Sequence, residues 1–204
     1  MQNKITRRYH QKHVILCLLL KNEKVNVITE FPDGLISFYP NIFEDNRGLF
    51  LETFQEAKYQ MHLGNFSFSQ DNLSKSHKGV LRGLHFQAPP FDQGKLVQVL
   101  TGSVLDVAVD IRKNSPSFGK HFKIILDAKN RNQLWIPPGF AHGFLSLEDD
   151  TLFSYKCTNH YSKDHEGCLR WNDPEIGIDW GFENPIVSEK DQVGSLLKEL
   201  NSPF

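Results

Sequence analysis

The chain has 204 residues and a formal charge of −1. That length suits one domain with a substantial core, and the balanced charge excludes a general nucleic-acid binder, so any anion must be met by a few placed Arg and Lys side chains. The three cysteines, Cys17, Cys157 and Cys168, fit neither a disulfide framework nor a CxxC metal pattern and point to a reduced, cytoplasmic chain.

Residues 1–24 begin with basic residues and run into the apolar stretch Val14 to Leu20, which is too short to cross a bilayer. Lys21, Asn22, Glu23 and Lys24 stand where a secretion signal needs small residues. This stretch reads as an N-terminal extension, frayed or arising from an early start, and no membrane partner is expected. From residue 25 to residue 204 the chain reads as a single all-β domain, because short runs rich in Val, Ile and Phe alternate with Gly, Pro, Asn and Asp. "GLISFYP" (34–40) and "GLFLETF" (48–54) are expected strands, and "EAKYQMHL" (56–63), stopped by Gly64, is an expected helix. The alternating run "KLVQVLTGSVLDVAVDI" (95–111) reads as a hairpin turning at Thr101 and Gly102. "HFKIILD", "QLWIP", "GFLSL" and "TLFSYKCT" extend the series of strands, and "SEKDQVGSLLKEL" (188–200) reads as a short closing helix despite Gly194.

Several strands carry polar residues that a simple core does not need. In "GVLRGLHFQ" (79–87), alternation puts Gly83, His85 and Gln87 on one face and Arg82, Leu84 and Phe86 on the other. If His85 looks into a barrel, Arg82 needs the local freedom of Gly83 to reach the same space. Lys95 shares a face with Val97 and Val99, and Tyr155 with Phe153 and Cys157. Taken singly, each polar residue is explained by a satisfied rim position. Together, His, Lys, Arg and Tyr form a set suited to chemistry beside a carbonyl: base, oxyanion donor, anion anchor and acid.

The segment "WIPPGFAHGF" (135–144) uses Pro137, Pro138 and Gly139 to turn the chain and deliver His142 onto the next strand. Its P-x-G-x-x-H spacing resembles the second half-motif of the cupins. A metal-binding cupin also needs H-x-H and a Glu in its first half-motif; here Gln87 replaces the second His and no Glu follows. The donor set is poor for a divalent ion, so the barrel is expected and a metal is not.

Five segments resemble, in order, the dTDP-4-dehydrorhamnose 3,5-epimerase family: "FEDNRGLFLETF" (43–54), "SQDNLSKSHKGVLRGLHFQ" (69–87), "QGKLVQVLTGSVLDVAVDIRKNSPSFGK" (93–120), "QLWIPPGFAHGFLSL" (133–147) and "YKCTNHYSKDHEGCLRWNDPEIGI" (155–178). The resemblance implies a cupin-type jelly-roll barrel with short flanking helices, forming a homodimer that exchanges N-terminal strands. It implies His85 as the general base, Asp191 orienting it, and Lys95 and Tyr155 as further catalytic residues. Substrate contacts carried over by motif are Arg82, Gln70, Asn72, His142, Glu166 and Lys190, with Arg47 and Glu52 reaching in from the partner subunit. The expected substrate is a nucleotide 4-keto-6-deoxy sugar, inverted at C3 and C5 without metal or organic cofactor. His160 departs from the family pattern, which commonly has a tyrosine there near the nucleotide base. The readings set beside this one are a single-centre epimerase or ketoisomerase, a non-catalytic sugar-nucleotide binding module and a metal-dependent cupin oxygenase.

Overall fold

A computed structural model describes residues 25–28 and 34–204; the expected extension over residues 1–24 lies outside the described residues. The elements in chain order begin with β1 (Val25–Ile28), β2 (Ile36–Pro40), β3 (Ile42–Asp45) and β4 (Gly48–Leu51), followed by helix α1 (Glu56–Leu63). Next come β5 (Gln70–Ser76), β6 (Val80–Gln87), β7 (Lys95–Thr101), β8 (Ser103–Asp110) and β9 (His121–Asp127). The chain continues through β10 (Gln133–Ile136), β11 (Phe140–Ser146), β12 (Thr151–Cys157), β13 (Glu166–Cys168), β14 (Ile186–Val187) and helix α2 (Glu189–Gln192). No helix among the described residues is long and apolar enough to cross a membrane.

The strands form two facing sheets, one in the order β1-β2-β10-β7-β12-β5 and the other β13-β6-β11-β8-β9, with β14 joining β6 in parallel. Apart from β8 and β9, each strand from β5 to β13 lies in the opposite sheet from its neighbour in the chain. This is the jelly-roll pattern, and it corrects the expected hairpin over 95–111. β7 pairs with β10 and β12, whereas β8 pairs with β11 and β9. Alternation shows that both runs have a buried face, but it does not choose their partners. Gly102, at φ +81°, lets the chain cross between sheets against Thr151.

Period-two patterning distributes the apolar residues over three layers. Between the sheets lie Val97, Val99, Val104, Ala108, Leu134, Phe140, Phe144 and Phe153. On the outer face of the first sheet, Leu96, Trp135 and Phe38 pack under Tyr59 and Leu63 of α1. On the outer face of the second, Leu81, Leu84, Phe86, Val107 and Leu145 pack under Leu169, Ile176, Trp180 and Leu197. Each such side chain, fully buried, contributes about 1.5–3 kcal/mol relative to exposure, so the C-terminal segment is held chiefly by apolar contact. That segment is not the single helix expected over 188–200. It forms α2 and then a separate 3-10 turn, Leu197–Glu199. A side chain at Gly194 would meet the Leu169 and Arg170 backbone at under 3 Å, so this glycine lets the tail approach β13 rather than continue a helix.

One irregularity governs the interior. β6 and β11 pair His85 with His142 and Arg82 with Phe144, so three residues of β6 are spanned by two of β11. The extra residue is a bulge at Gly83, whose φ is +136° and whose Cα closely faces Gly143. A Cβ at Gly83 would lie 2.5 Å from the Gly143 Cα. Replacing Gly83 by Ala is expected to cost about 2–4 kcal/mol through backbone strain and overpacking, read as a lower urea midpoint at unchanged slope.

Candidate active site

The bulge resolves the parity conflict read from the sequence. His142 and Phe144 are two apart on β11 and share a face, so their partners His85 and Arg82 do too, although they are three apart on β6. Arg82, His85, His142 and Phe144 accordingly line one cavity of about 490 Å3 with Lys95, Phe153, Tyr155, Lys190 and Asp191. His85 comes from the second sheet; Lys95 and Tyr155 come from β7 and β12 of the first. The two walls of the cavity therefore carry different chemistry.

Asp191 reaches His85 from α2. Ser188 caps that helix by accepting from the Asp191 N–H at 3.2 Å, which fixes the carboxylate one turn into the helix. Asp191 Oδ1 lies 2.7 Å from His85 Nε2, and Oδ2 accepts the Gly83 N–H at 3.2 Å. Burial pushes the Asp191 pKa up, but the His85 contact and the Gly83 and Ser188 bonds outweigh it and hold the carboxyl below its ordinary range. The carboxylate is thus ionised at neutral pH, and Nε2 carries the proton it accepts.

A second imidazole–carboxylate pair stands beside the first. His142 Nε2 lies 3.0 and 2.9 Å from the two Asp106 oxygens, with both residues buried. Burial holds the His142 pKa down despite Asp106, keeping the ring neutral. Sequence reasoning missed Asp106, although a carboxylate on the inner face of the apolar run "SVLDVAVD" was a visible signal. Each cupin-type histidine is thus tied to its own aspartate. Among the described residues the group of three donors close enough to share an ion is His85, Cys168 and Asp191.

Lys95 donates to the His85 carbonyl at 3.5 Å, and burial pulls its pKa below the ordinary lysine value, partly offset by Cys157, Asp106 and Glu166. Burial acts oppositely on Tyr155 and raises its phenol. At the mouth, Arg82 Nε donates to Ser76 Oγ at 3.2 Å and its terminal nitrogen to the Lys75 carbonyl at 3.3 Å. Lys190 pairs with Glu166, whose other oxygen accepts from the Tyr161 hydroxyl at 2.9 Å. Gln70 and Asn72 lie on β5 beside Tyr155; Gln70 donates to Asn72 Oδ1 at 3.1 Å and accepts the Tyr161 N–H at 2.9 Å. His160 is exposed beside this group. Tyr161, which the sequence reading passed over, links Gln70 to Glu166.

Two expected site residues stand apart. Arg47, at the turn of the β3–β4 hairpin, pairs with Asp45, and Glu52 pairs with Lys58; neither lines the cavity. The same hairpin exposes Phe43, Leu49 and Phe50, the last at 70%.

A jelly roll that encloses a cavity with a carboxylate-bound imidazole on one wall and a buried ammonium and phenol on the other belongs to the cupin-type barrels built for acid–base chemistry. Comparison with known proteins narrows this further. The sequence model described as dTDP-4-dehydrorhamnose 3,5-epimerase matches residues 29–199. The dTDP-4-dehydrorhamnose 3,5-epimerase of Shigella flexneri is 53% identical over 169 residues, covering 82% of this chain and 93% of the relative. The Legionella pneumophila dTDP-6-deoxy-D-glucose-3,5-epimerase RmlC, solved in complex with dTDP-4-keto-L-rhamnose, superposes with a TM-score of 0.84 at 46% identity, covering 87% of this chain and 95% of that one. ChmJ, a 3'-monoepimerase from Streptomyces bikiniensis solved with dTDP-quinovose, superposes with a TM-score of 0.78 at 33% identity, covering 81% and 85%. The chain belongs to the dTDP-4-dehydrorhamnose 3,5-epimerase family, whose members are isomerase-class epimerases.

The opposed shifts of Lys95 and Tyr155 are measurable. As pH rises, an ammonium with a lowered pKa loses its proton early and a phenol with a raised pKa keeps its own. In a carbon-13 NMR titration of the lysine side chains, Lys95, assigned with a Lys95→Arg variant, is expected to deprotonate below the exposed lysines; co-titration with them would contradict its burial.

Proposed function

We propose that the chain is a dTDP-4-dehydrorhamnose 3,5-epimerase that inverts C3 and C5 of a dTDP-4-dehydro-6-deoxy sugar. The observation that carries this reading is the opposition of His85 and Tyr155 on facing sheets across one cavity. A ketone at C4 acidifies the protons on both flanking carbons. With Nε2–H donated to ionised Asp191, Nδ1 of His85 is the free base that removes one of them. The enolate oxygen is stabilised by Lys95, whose charge acts strongly in a desolvated site. Tyr155, kept protonated by burial, returns a proton from the opposite wall and inverts the centre; a second cycle inverts the other carbon. Arg82, held by Ser76 and the Lys75 carbonyl, binds the diphosphate with charge-assisted hydrogen bonds. Gln70, Asn72, Glu166, Lys190 and His142 complete the substrate contacts. The chemistry asks for no cofactor from these residues.

Incubation of dTDP-4-keto-6-deoxyglucose with the protein in D2O, followed by NMR, tests this directly. Deuterium at both C3 and C5 with conversion to the L-lyxo sugar is expected. Exchange at one carbon alone would make the chain a single-centre epimerase, the chemistry named for the ChmJ neighbour. His85→Asn is expected to abolish exchange while retaining dTDP binding, and Tyr155→Phe to slow conversion more than exchange.

The site is completed, in this reading, by a second copy of the chain. Arg47 and Glu52 stand outside the cavity of their own chain on a hairpin with exposed Phe43, Leu49 and Phe50, which suits a homodimer in which N-terminal strands are exchanged. Free thiols at Cys157 and Cys168 suit a reducing, cytoplasmic setting. Mixing inactive Arg47→Ala and His85→Asn proteins under subunit exchange is expected to restore up to roughly a quarter of wild-type turnover, since a mixed dimer holds one intact site. No recovery in verified mixed dimers would place Arg47 outside the partner's site.

A further inference from the structure

Cys168 takes no part in the chemistry above, yet it is the direct cross-strand partner of His85 through the β13–β6 pairing. One donor atom each from Cys168, His85 and Asp191 lie within 4.8 Å of one another. We propose that these three residues form an inhibitory site for a thiophilic divalent cation, zinc being the representative, set into the cavity wall on the Asp191 side of His85, with Cys168 behind it.

The donor set is one thiolate, one imidazole and one carboxylate, the types zinc selects, with a fourth position left for water. Tetrahedral zinc with bonds of about 2.0–2.3 Å needs its ligand atoms roughly 3.3–3.8 Å apart. The thiol, within 4.8 Å of the other two donors, must draw in, and Nε2 and Oδ1, now 2.7 Å apart, must open to admit the ion. The supports are rigid. Asp191 is steadied by the Gly83 N–H and the Ser188 cap. Cys168 is held by β6 on one side and by the Ser195 N–H on its carbonyl at 3.0 Å on the other. Such outer contacts are what orient metal ligands. Cys168 does not line the substrate cavity.

The consequence for catalysis follows from proton placement and rests on the reading of His85 as the base. Without an ion, Nε2 holds the proton and Nδ1 is free. An ion on Nε2 takes that lone pair, so the ring proton reappears on Nδ1, while the thiol proton leaves to solvent. One proton is released in all, and the imidazole presents a donor where the reaction needs an acceptor. Turnover stops although the cavity stays open, so inhibition is non-competitive with substrate.

The test uses the full chain and two probes. Cadmium titration is followed by the thiolate-to-cadmium charge-transfer absorption, and zinc by loss of turnover. Both responses are expected in the wild type and in Cys157→Ser; in Cys168→Ser, which keeps its metal-free turnover, the charge-transfer band is expected to be lost because serine supplies no thiolate, and inhibition is expected to need at least about tenfold more zinc. Binding of dTDP is expected to be unaffected by zinc. Equal sensitivity of Cys168→Ser, or no cadmium absorption in the wild type, would overturn the site. Cadmium absorption that depends on Cys168 without zinc inhibition would overturn the inhibitory role, while the His85→Asn exchange measurement decides separately whether His85 is the base.

Discussion

The single extra residue in β6 is the constraint on which the interior depends. A regular strand would send Arg82 and His85 to opposite faces, one into the apolar layer under the C-terminal segment. With the bulge, Arg82 and His85 both look inward while Leu81 and Leu84 both look outward into the cluster with Leu169 and Trp180. The same irregularity turns the Gly83 N–H toward Asp191. One local departure from the ladder therefore sets Arg82, His85 and the carboxylate bound to His85 together. It requires two glycines back to back, because Gly83 and Gly143 approach too closely for any side chain.

The interior is apolar at one end and ionisable at the other, and the ionisable end is arranged so that burial is offset pair by pair. Asp191 and Asp106 each face a histidine, and Lys95 has a carbonyl within reach. An isolated buried charge would be costly, whereas carboxylates bonded to imidazole N–H groups are tolerated and also fix the tautomers. Burial then has different effects on the groups left over. It lowers the ammonium of Lys95 and raises the phenol of Tyr155, bringing a cation closer to proton exchange while keeping an acid protonated. The same low-dielectric setting does both.

Much of this was legible in the sequence, and the limits have physical causes. The β class and α1 followed from period and capping, and the inner position of Lys95 and Tyr155 followed from alternation. The pairing of β7 with β10 and β12 did not, since alternation records a buried face and says nothing of the partner across the barrel. The regular two-residue period alone puts Arg82 on the face opposite His85, and the glycine beside it was the visible sign that the period fails there; the bulge brings both to one face. The closing helix was overread because "SLLKEL" has helical composition; the tail instead extends along β13, where apolar burial outweighs propensity. Asp106 was overlooked because it sits in a strand otherwise rich in Val and Ala, although an acid on an inner face is the stronger signal.

Arg47 and Glu52 point to a different kind of limit. Their motif resembles a substrate-binding segment, yet within one chain they pair with Asp45 and Lys58 on a hairpin away from the cavity. Exposed pairs of this sort contribute little, so either ion pair can be exchanged for a ligand at small cost. The hairpin's exposed Phe43 and Phe50 supply the apolar area that a subunit contact uses. In the proposed reading, base, acid and oxyanion donor come from one chain and the Arg47 and Glu52 contacts from another, which would couple catalysis to assembly. In the proposed dimer the monomer holds the chemistry, and the partner's hairpin closes the mouth over the substrate.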